Sequence, residues 1–403
     1  MNFSRRRLLQ GAASVAGAAA FAGPLGLAQS AFGQAAPKST VLLVFLRGGY
    51  NALFSNADSF APAGTFGVTG TNTMNLGSGL VVDRSTYGTL PAEARSNMAA
   101  IGLNHGISSH APARTAAWSN GTRSYALMLA NAMGGSAAIK CAIVGNTFPE
   151  GPRPAENGVS MQTITDMTST INALGGGAAD PMVPDRAKAA AALGAARAMS
   201  QAQLVDSDTS LSSAKNAYDS SIAVLQGPTT TGFDASALAT AYGLAPTARA
   251  VNSFASQMMA AELMTLAGAN VICATSNAGW DTHGDRTGII VRQRMEGVIL
   301  PGLRTFTQRM MAQANRNITV AVFGDFARSL PGSDHARCIG TTVWGSKVRL
   351  GVSGKVAANV GMPTQNAAGQ AYSAAGFWSY LAATSKAANN PFGVNPHSAL
   401  VLP

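Results

Sequence analysis

A chain of 403 residues with 47% hydrophobic and only 11% charged residues can bury a large core, which excludes wholesale disorder and fits one large α/β domain with an insertion, or two domains. The formal charge is +10, but Arg5, Arg6 and Arg7 supply three of it, and the remaining +7 is scattered without a basic run or an aromatic-interleaved patch, which argues against nucleic-acid binding. Cys141, Cys273 and Cys338 are odd in number and widely spaced, so they imply no disulfide framework.

The first segment, Ser4-Arg5-Arg6-Arg7-Leu8-Leu9, precedes a short run of Ala, Gly and Val and then small residues near Ala31 and Ala35. This reads as an export signal over residues 1–35, with consecutive arginines of the twin-arginine type, so the twin-arginine machinery is an expected partner and the location periplasmic or extracellular. The apolar part is too short to span a bilayer, and no later stretch reaches about 18 apolar residues, so no stable membrane span is expected.

Residues 36–403 then form the expected α/β domain. Thr40–Leu46 is a continuous β-branched run ending at Arg47-Gly48-Gly49, which suits a strand buried on both faces and a tight turn after it. Residues 55–100 are rich in Gly, Thr, Asn and Ser and read as loop and edge structure, with a short strand at Leu80-Val81-Val82. Residues 101–110 read as a glycine-punctuated loop carrying His105, Ser108, Ser109 and His110. A helix is expected over Thr122–Ala132 and a strand over Ala138–Val144.

From about 160 to 245 the composition suggests a helical insertion or cap, with helices at Asp185–Leu204 and Ser210–Gln226. A third helix is expected over Pro246–Leu266, then a strand at Asn270–Thr275 leading to Gly279-Trp280-Asp281-Thr282-His283. A long helix, roughly Ile289–Ala314, and a strand, Ile318–Phe323, complete a βαβ unit, hence a parallel pair with its strand ends on one edge. The second strand runs into Asp325-Phe326-Ala327-Arg328 and then Ser333-Asp334-His335.

The chain has only five histidines, and two of them stand beside aspartates just after strand-like runs. In an extended Asp281-x-His283 the two side chains point the same way and reach one ion, whereas Asp334 and His335 point apart and suit two ions, or a ligand and its support. Imidazole with carboxylate favours Zn²⁺, Mn²⁺ or Fe over Ca²⁺. The competing reading is a carboxylate-to-imidazole hydrogen bond that fixes a loop. Arg328 is expected either to pair with Asp325 or to bind an anion. Ser108, Ser109 and His110 raise a nucleophile hypothesis. His105 and His397 read as structural or exposed.

Taken together, Arg47-Gly48-Gly49-Tyr50-Asn51-Ala52, Ser109-His110, Gly279–His283, Asp325-Phe326-Ala327-Arg328 and Ser333-Asp334-His335-Ala336 resemble, in order, the motifs of the exported family catalogued as domain of unknown function 1501, a branch of the alkaline-phosphatase-like superfamily. The resemblance implies a three-layer α/β/α sandwich with a mostly parallel sheet and one or two divalent metals, Zn, Mn or similar, at the strand ends. It assigns Asp281, His283, Asp334 and His335 as ligands, Ser109 or Ser108 as nucleophile beside His110, and Arg328 as the group orienting an anionic substrate. Position 51, an aspartate ligand in the family pattern, is Asn here, as 52, 325 and 336 are Ala, Asp and Ala for Gly, Glu and Gly. An amide oxygen is a weaker ligand than a carboxylate, so a weakened second metal is expected.

The implied activity is hydrolysis of a phosphate or sulfate ester, small-molecule or polymeric. The alternative, which Asn51 favours, is a catalytically degenerate binding or cell-surface assembly protein that keeps the fold. A polyanion-binding envelope protein rests on the +7 charge alone.

Overall fold

The computed structural model describes residues 38–135, 137–148, 151–176, 186–203, 234–328, 333–356 and 372–403. The expected export signal and the expected Ser210–Gln226 helix lie outside them. The strands in chain order are β1 (Lys38–Leu46), β2 (Tyr50–Asn51), β3 (Thr73–Gly77), β4 (Leu80–Asp83), β5 (Met98–Asn104) and β6 (Cys141–Val144). They continue with β7 (Met161–Ile164), β8 (Val271–Ser276), β9 (Arg316–Gly324), β10 (Ala327–Arg328), β11 (Cys338–Gly345) and β12 (Gly351–Ser353).

Eight of them make one sheet in the order β12-β5-β11-β9-β1-β8-β6-β7. Every neighbouring pair is parallel except β11 with β5 and β11 with β9, so seven strands run one way and β11 runs back. β1 sits at the centre because its residues 41–46 are apolar without a break and fully buried, as a strand covered on both faces must be. The expected βαβ pair is corrected in one respect: β8 and β9 are parallel but not adjacent, since β1 lies between them.

Helices cover both faces. Phe323 of β9 meets Trp118 and Phe377, from the helices His110–Trp118 and Ala374–Thr384. Val320 lies on the opposite face by strand alternation, and its cross-strand partner Trp344 donates from Nε1 to Thr307 of the helix Leu300–Met311, at 3.2 Å. The protein is thus a mixed α/β fold around a large, mostly parallel sheet.

Several boundaries differ from the sequence expectation. Residues 101–104 belong to β5 rather than to a loop, and a helix begins at His110. The helix expected from Pro246 starts at Phe254, because Ser253 and Ser256 form a reciprocal capping box that fixes its first turn there. The 289–311 segment is helical as expected but opens into a π-turn at Met295–Ile299, just ahead of Pro301, whose missing N–H breaks the regular ladder. The region of the expected insertion begins with an edge strand of the main sheet, β7, and contains the helix Arg186–Gln203. All three cysteines are buried thiols.

Because β1, β5, β8 and β9 all run the same way, the turns after Leu46, Asn104, Ser276 and Gly324 emerge at one edge. The start of the reversed β11, preceded by Asp334 and His335, arrives at that same edge, since Cys338 pairs with Asn104. That edge is where an open α/β sheet presents its chemistry.

Candidate metal centre

Two glycines open the site. Gly48 has φ +119°, and a Cβ there would lie 2.5 Å from the Asp281 backbone nitrogen. Gly49 has φ +142°, and a Cβ there would lie 2.6 Å from Arg328 Nε. The chain leaving β1 therefore passes between the Asp281 loop and Arg328 only because both positions lack a side chain.

Asp325, at the end of β9, is fully buried and is the hub beneath the site. Its Oδ1 accepts from the Gly48 N–H at 3.1 Å, and its Oδ2 from His110 Nδ1 at 2.7 Å and Arg114 at 2.9 Å. With Nδ1 so engaged, His110 presents Nε2 toward Asp281, 3.3 Å from its Oδ2. His335 is held in the same manner: Nδ1 donates to the Ser108 carbonyl at 2.6 Å, which leaves Nε2 as a lone pair, 2.9 Å from His283 Nε2. His283 Nε2 is in turn 3.2 Å from Asp281 Oδ1.

One donor atom from each of His110, Asp281, His283 and His335 lies within 4.8 Å of the others. Donors bound at about 2.0–2.1 Å around a tetrahedral Zn²⁺ stand roughly 3.3 Å apart; three contacts, of 2.9, 3.2 and 3.3 Å, match that spacing, while the set as a whole spans up to 4.8 Å and must draw in to hold one ion. The protonation states fit as well. Burial alone would raise the Asp281 carboxyl, but the Arg328 guanidinium, His110 and His283 outweigh it and hold the group below its usual value. Burial lowers the His335 imidazole; the positive charges of Arg328 and the neighbouring histidines act in the same direction, against the bond to Ser108. A charged carboxylate and a neutral imidazole are the forms a metal takes.

The donors are open while their supports are closed: the Asp281 and His283 side chains are 50% and 53% exposed, those of Asp325 and Arg328 0%. Phe326, also buried, stacks under His335 with ring centroids 4.1 Å apart and touches His110 at 4.9 Å, forming an apolar floor beneath both imidazoles. Thr282 and Ser333 join the two motif loops by a hydroxyl contact of 3.3 Å. Ser333 itself takes φ +55°, uncommon for a residue with a side chain.

The structure brings together three of the four ligands implied by resemblance, Asp281, His283 and His335, and adds His110. Asp334 stands beside the group, its Oδ1 3.8 Å from His283 Nδ1 and accepting from the His335 N–H at 2.7 Å. Asn51 is buried outside the group, its amide oxygen accepting from the Leu53 N–H at 3.0 Å to cap a 3₁₀ turn. Ser108 and Ser109 are exposed, and Ser109 is the N-cap of the His110–Trp118 helix without a side-chain capping bond.

Arg328 is corrected on two counts. It pairs with Asp281 rather than Asp325, and its guanidinium is further spent on the Gly48 carbonyl at 2.6 Å and the Ser333 carbonyl at 3.0 Å, so it braces the ligand loop instead of facing a solute. His105 is structural: Nδ1 accepts from the Ile107 N–H at 3.1 Å, so Nε2 donates to the Asp325 carbonyl at 2.8 Å. Sequence reasoning missed Asp325 and Phe326 as supports and His110 as a donor. The available signal was that His110 follows a strand of the same sheet, obscured because β5 was read as loop.

No family model, curated protein or solved structure matches the chain.

Proposed function

We propose that this protein is an exported, metal-dependent hydrolase of phosphate or sulfate esters, of the alkaline-phosphatase-like kind and of the 1501 family its motifs resemble. The observation that carries the reading is the convergence of His110, Asp281, His283 and His335 at the C-terminal edge of a mostly parallel sheet, with two of the imidazoles anchored through their far nitrogens. A divalent ion held there supplies positive charge to the oxygens of a transferring phosphoryl or sulfuryl group.

The chain's own residues do the rest. The exposed hydroxyl of Ser109, at the head of a helix, is the nucleophile: its oxygen bonds to phosphorus or sulfur as the ester's C–O oxygen departs and takes up the serine proton to leave as the alcohol, and water then attacks the serine ester, one of its protons returning to the serine oxygen as the acid is released. Ser108 is the alternative nucleophile. Asp325 and Arg114 keep His110 oriented, and Arg328 holds Asp281.

A second reading, an exported binding or surface-assembly protein without turnover, is favoured by a specific observation. Arg114 and Arg328, two cations beside the group, are both buried and engaged with aspartates, so neither is presented to an anionic substrate. Metal content of the purified protein, paired with a screen of phosphate and sulfate esters in added Zn²⁺ or Mn²⁺, separates the two. Bound metal with ester turnover supports the hydrolase, and bound metal without turnover supports the binding protein.

A further inference from the structure

Most of the oxygens that a second ion would need already accept hydrogen bonds from the protein. Asp325 gives one oxygen to Gly48 and the other to His110 and Arg114. The Asn51 oxygen is held by Leu53. Asp334 Oδ1 accepts the His335 N–H. What remains converging is three imidazole nitrogens and one carboxylate, and such a donor set suits a nitrogen-preferring first-row ion rather than Mg²⁺ or Ca²⁺, which take oxygen ligands.

The hydrogen bonds also explain Asp334. Because His335 Nδ1–H is given to Ser108, the 2.9 Å contact between the two Nε2 atoms requires the proton to sit on His283 Nε2. His283 Nδ1 lies 3.8 Å from Asp334 Oδ1, just beyond hydrogen-bond reach. Once an ion takes His283 Nε2, the ring proton belongs on Nδ1, and a shift of about 1 Å in this exposed ring makes the hydrogen bond to Asp334.

We infer that the site is a mononuclear three-histidine, one-carboxylate centre for a zinc-like ion, in which each imidazole has its own outer acceptor and Asp334 is the one for His283, a positioning residue rather than a ligand. His110 is paired with Asp325 and His335 with the Ser108 carbonyl in the same way. The inference rests on the metal-centre reading above but not on any turnover.

The test is calorimetric titration of the purified, metal-free protein with Zn²⁺, joined to X-ray absorption of the Zn²⁺-loaded wild type. The expected result is one ion per chain, three imidazoles around it and no displacement by a hundredfold excess of Mg²⁺. His110→Ala should lose binding by more than the about 10- to 100-fold that removal of an outer partner, Asp334→Asn, produces while stoichiometry stays at one. Two ions per chain, fewer than three imidazoles, preference for Mg²⁺, or Asp334→Asn as damaging as His110→Ala or without effect would overturn the inference. The absorption measurement on the wild type stands even where a variant fails to fold. One tightly bound ion with no ester hydrolysis would sink the proposed function and leave this centre intact. Hydrolysis with two ions would do the reverse.

Discussion

Gly48 and Asp281 meet backbone to backbone, so closely that a methyl group on Gly48 would come 2.5 Å from the Asp281 nitrogen and 2.9 Å from the Trp280 carbonyl carbon. Gly48→Ala is therefore expected to push the ligand loop away from the other three donors. The positive φ adds a backbone cost of about 1–3 kcal/mol. Zn²⁺ affinity by titration should fall together with the thermal midpoint; an alanine protein with native affinity would mean that the loop is not set by this contact.

Asp325→Asn keeps the size of the hub and removes its charge. An amide still accepts from Gly48 through its oxygen, but its NH₂ now faces the donors His110 Nδ1 and Arg114. The ring of His110 loses its tautomer control, and Zn²⁺ affinity should drop about 10- to 100-fold. Asp325→Glu is expected to recover less than half of that loss in log terms, since the added methylene displaces the carboxylate from Gly48.

A second buried carboxylate tests stability away from the site. Glu262, 1% exposed, accepts from Tyr242 at 2.8 Å and from Arg309 at 2.7–3.0 Å, joining the Phe254–Leu266 and Leu300–Met311 helices. Arg309 is 45% exposed and can rehydrate, whereas Glu262 cannot. Arg309→Ala should thus cost about 3 kcal/mol by stranding the buried charge. Glu262→Ala should cost less, about 2 kcal/mol, from the orphaned Tyr242 hydroxyl and lost packing. Urea denaturation of the two variants gives the order directly, and the reverse order would contradict this account.

His397 provides an acid-sensitive point. It is buried between Tyr372 and Tyr380, bonded through Nδ1 to Ser353 Oγ at 2.7 Å, with Nε2 unpartnered among the described residues, and burial pushes its imidazole down to about 4 from an ordinary 6.5. The folded state keeps the ring neutral where the unfolded chain would protonate it. Its contribution is complete above pH 6.5 and is lost as pH falls toward 4, about 3 kcal/mol in all. The stability difference between wild type and His397→Gln should shrink over that window; a pH-independent difference would show that the ring does not titrate with folding.

The buried strands were the most legible part of the fold, because Val41–Leu46, Val271–Thr275 and Ile318–Phe323 are apolar runs with turn residues at their ends. β5 was not, since Ala99, Ala100 and Gly102 carry little strand preference and are held by pairing with β11, a distant partner. The Asp281 and His335 motifs could be read as candidate donors from residue type and spacing. Asp325 as hub could not, because its role depends on Gly48, His110 and Arg114 arriving from three other elements. Asn51 looked like a ligand by position, yet its oxygen is used by a local turn, a competition that only backbone geometry reveals.

The central place of β1 has a consequence for how the chain matures. Its neighbours β8 and β9 follow it by more than two hundred residues, and the last donor, His335, comes later still. During synthesis the first strand must wait, without either sheet neighbour, until the ribosome has entered the final third of the message. Such long-range closure makes for slow folding. The four donors are spread from His110 to His335 and meet only when β5, β8, β9 and β11 have paired around β1, so ion capture should be among the last events of folding and should report a finished sheet.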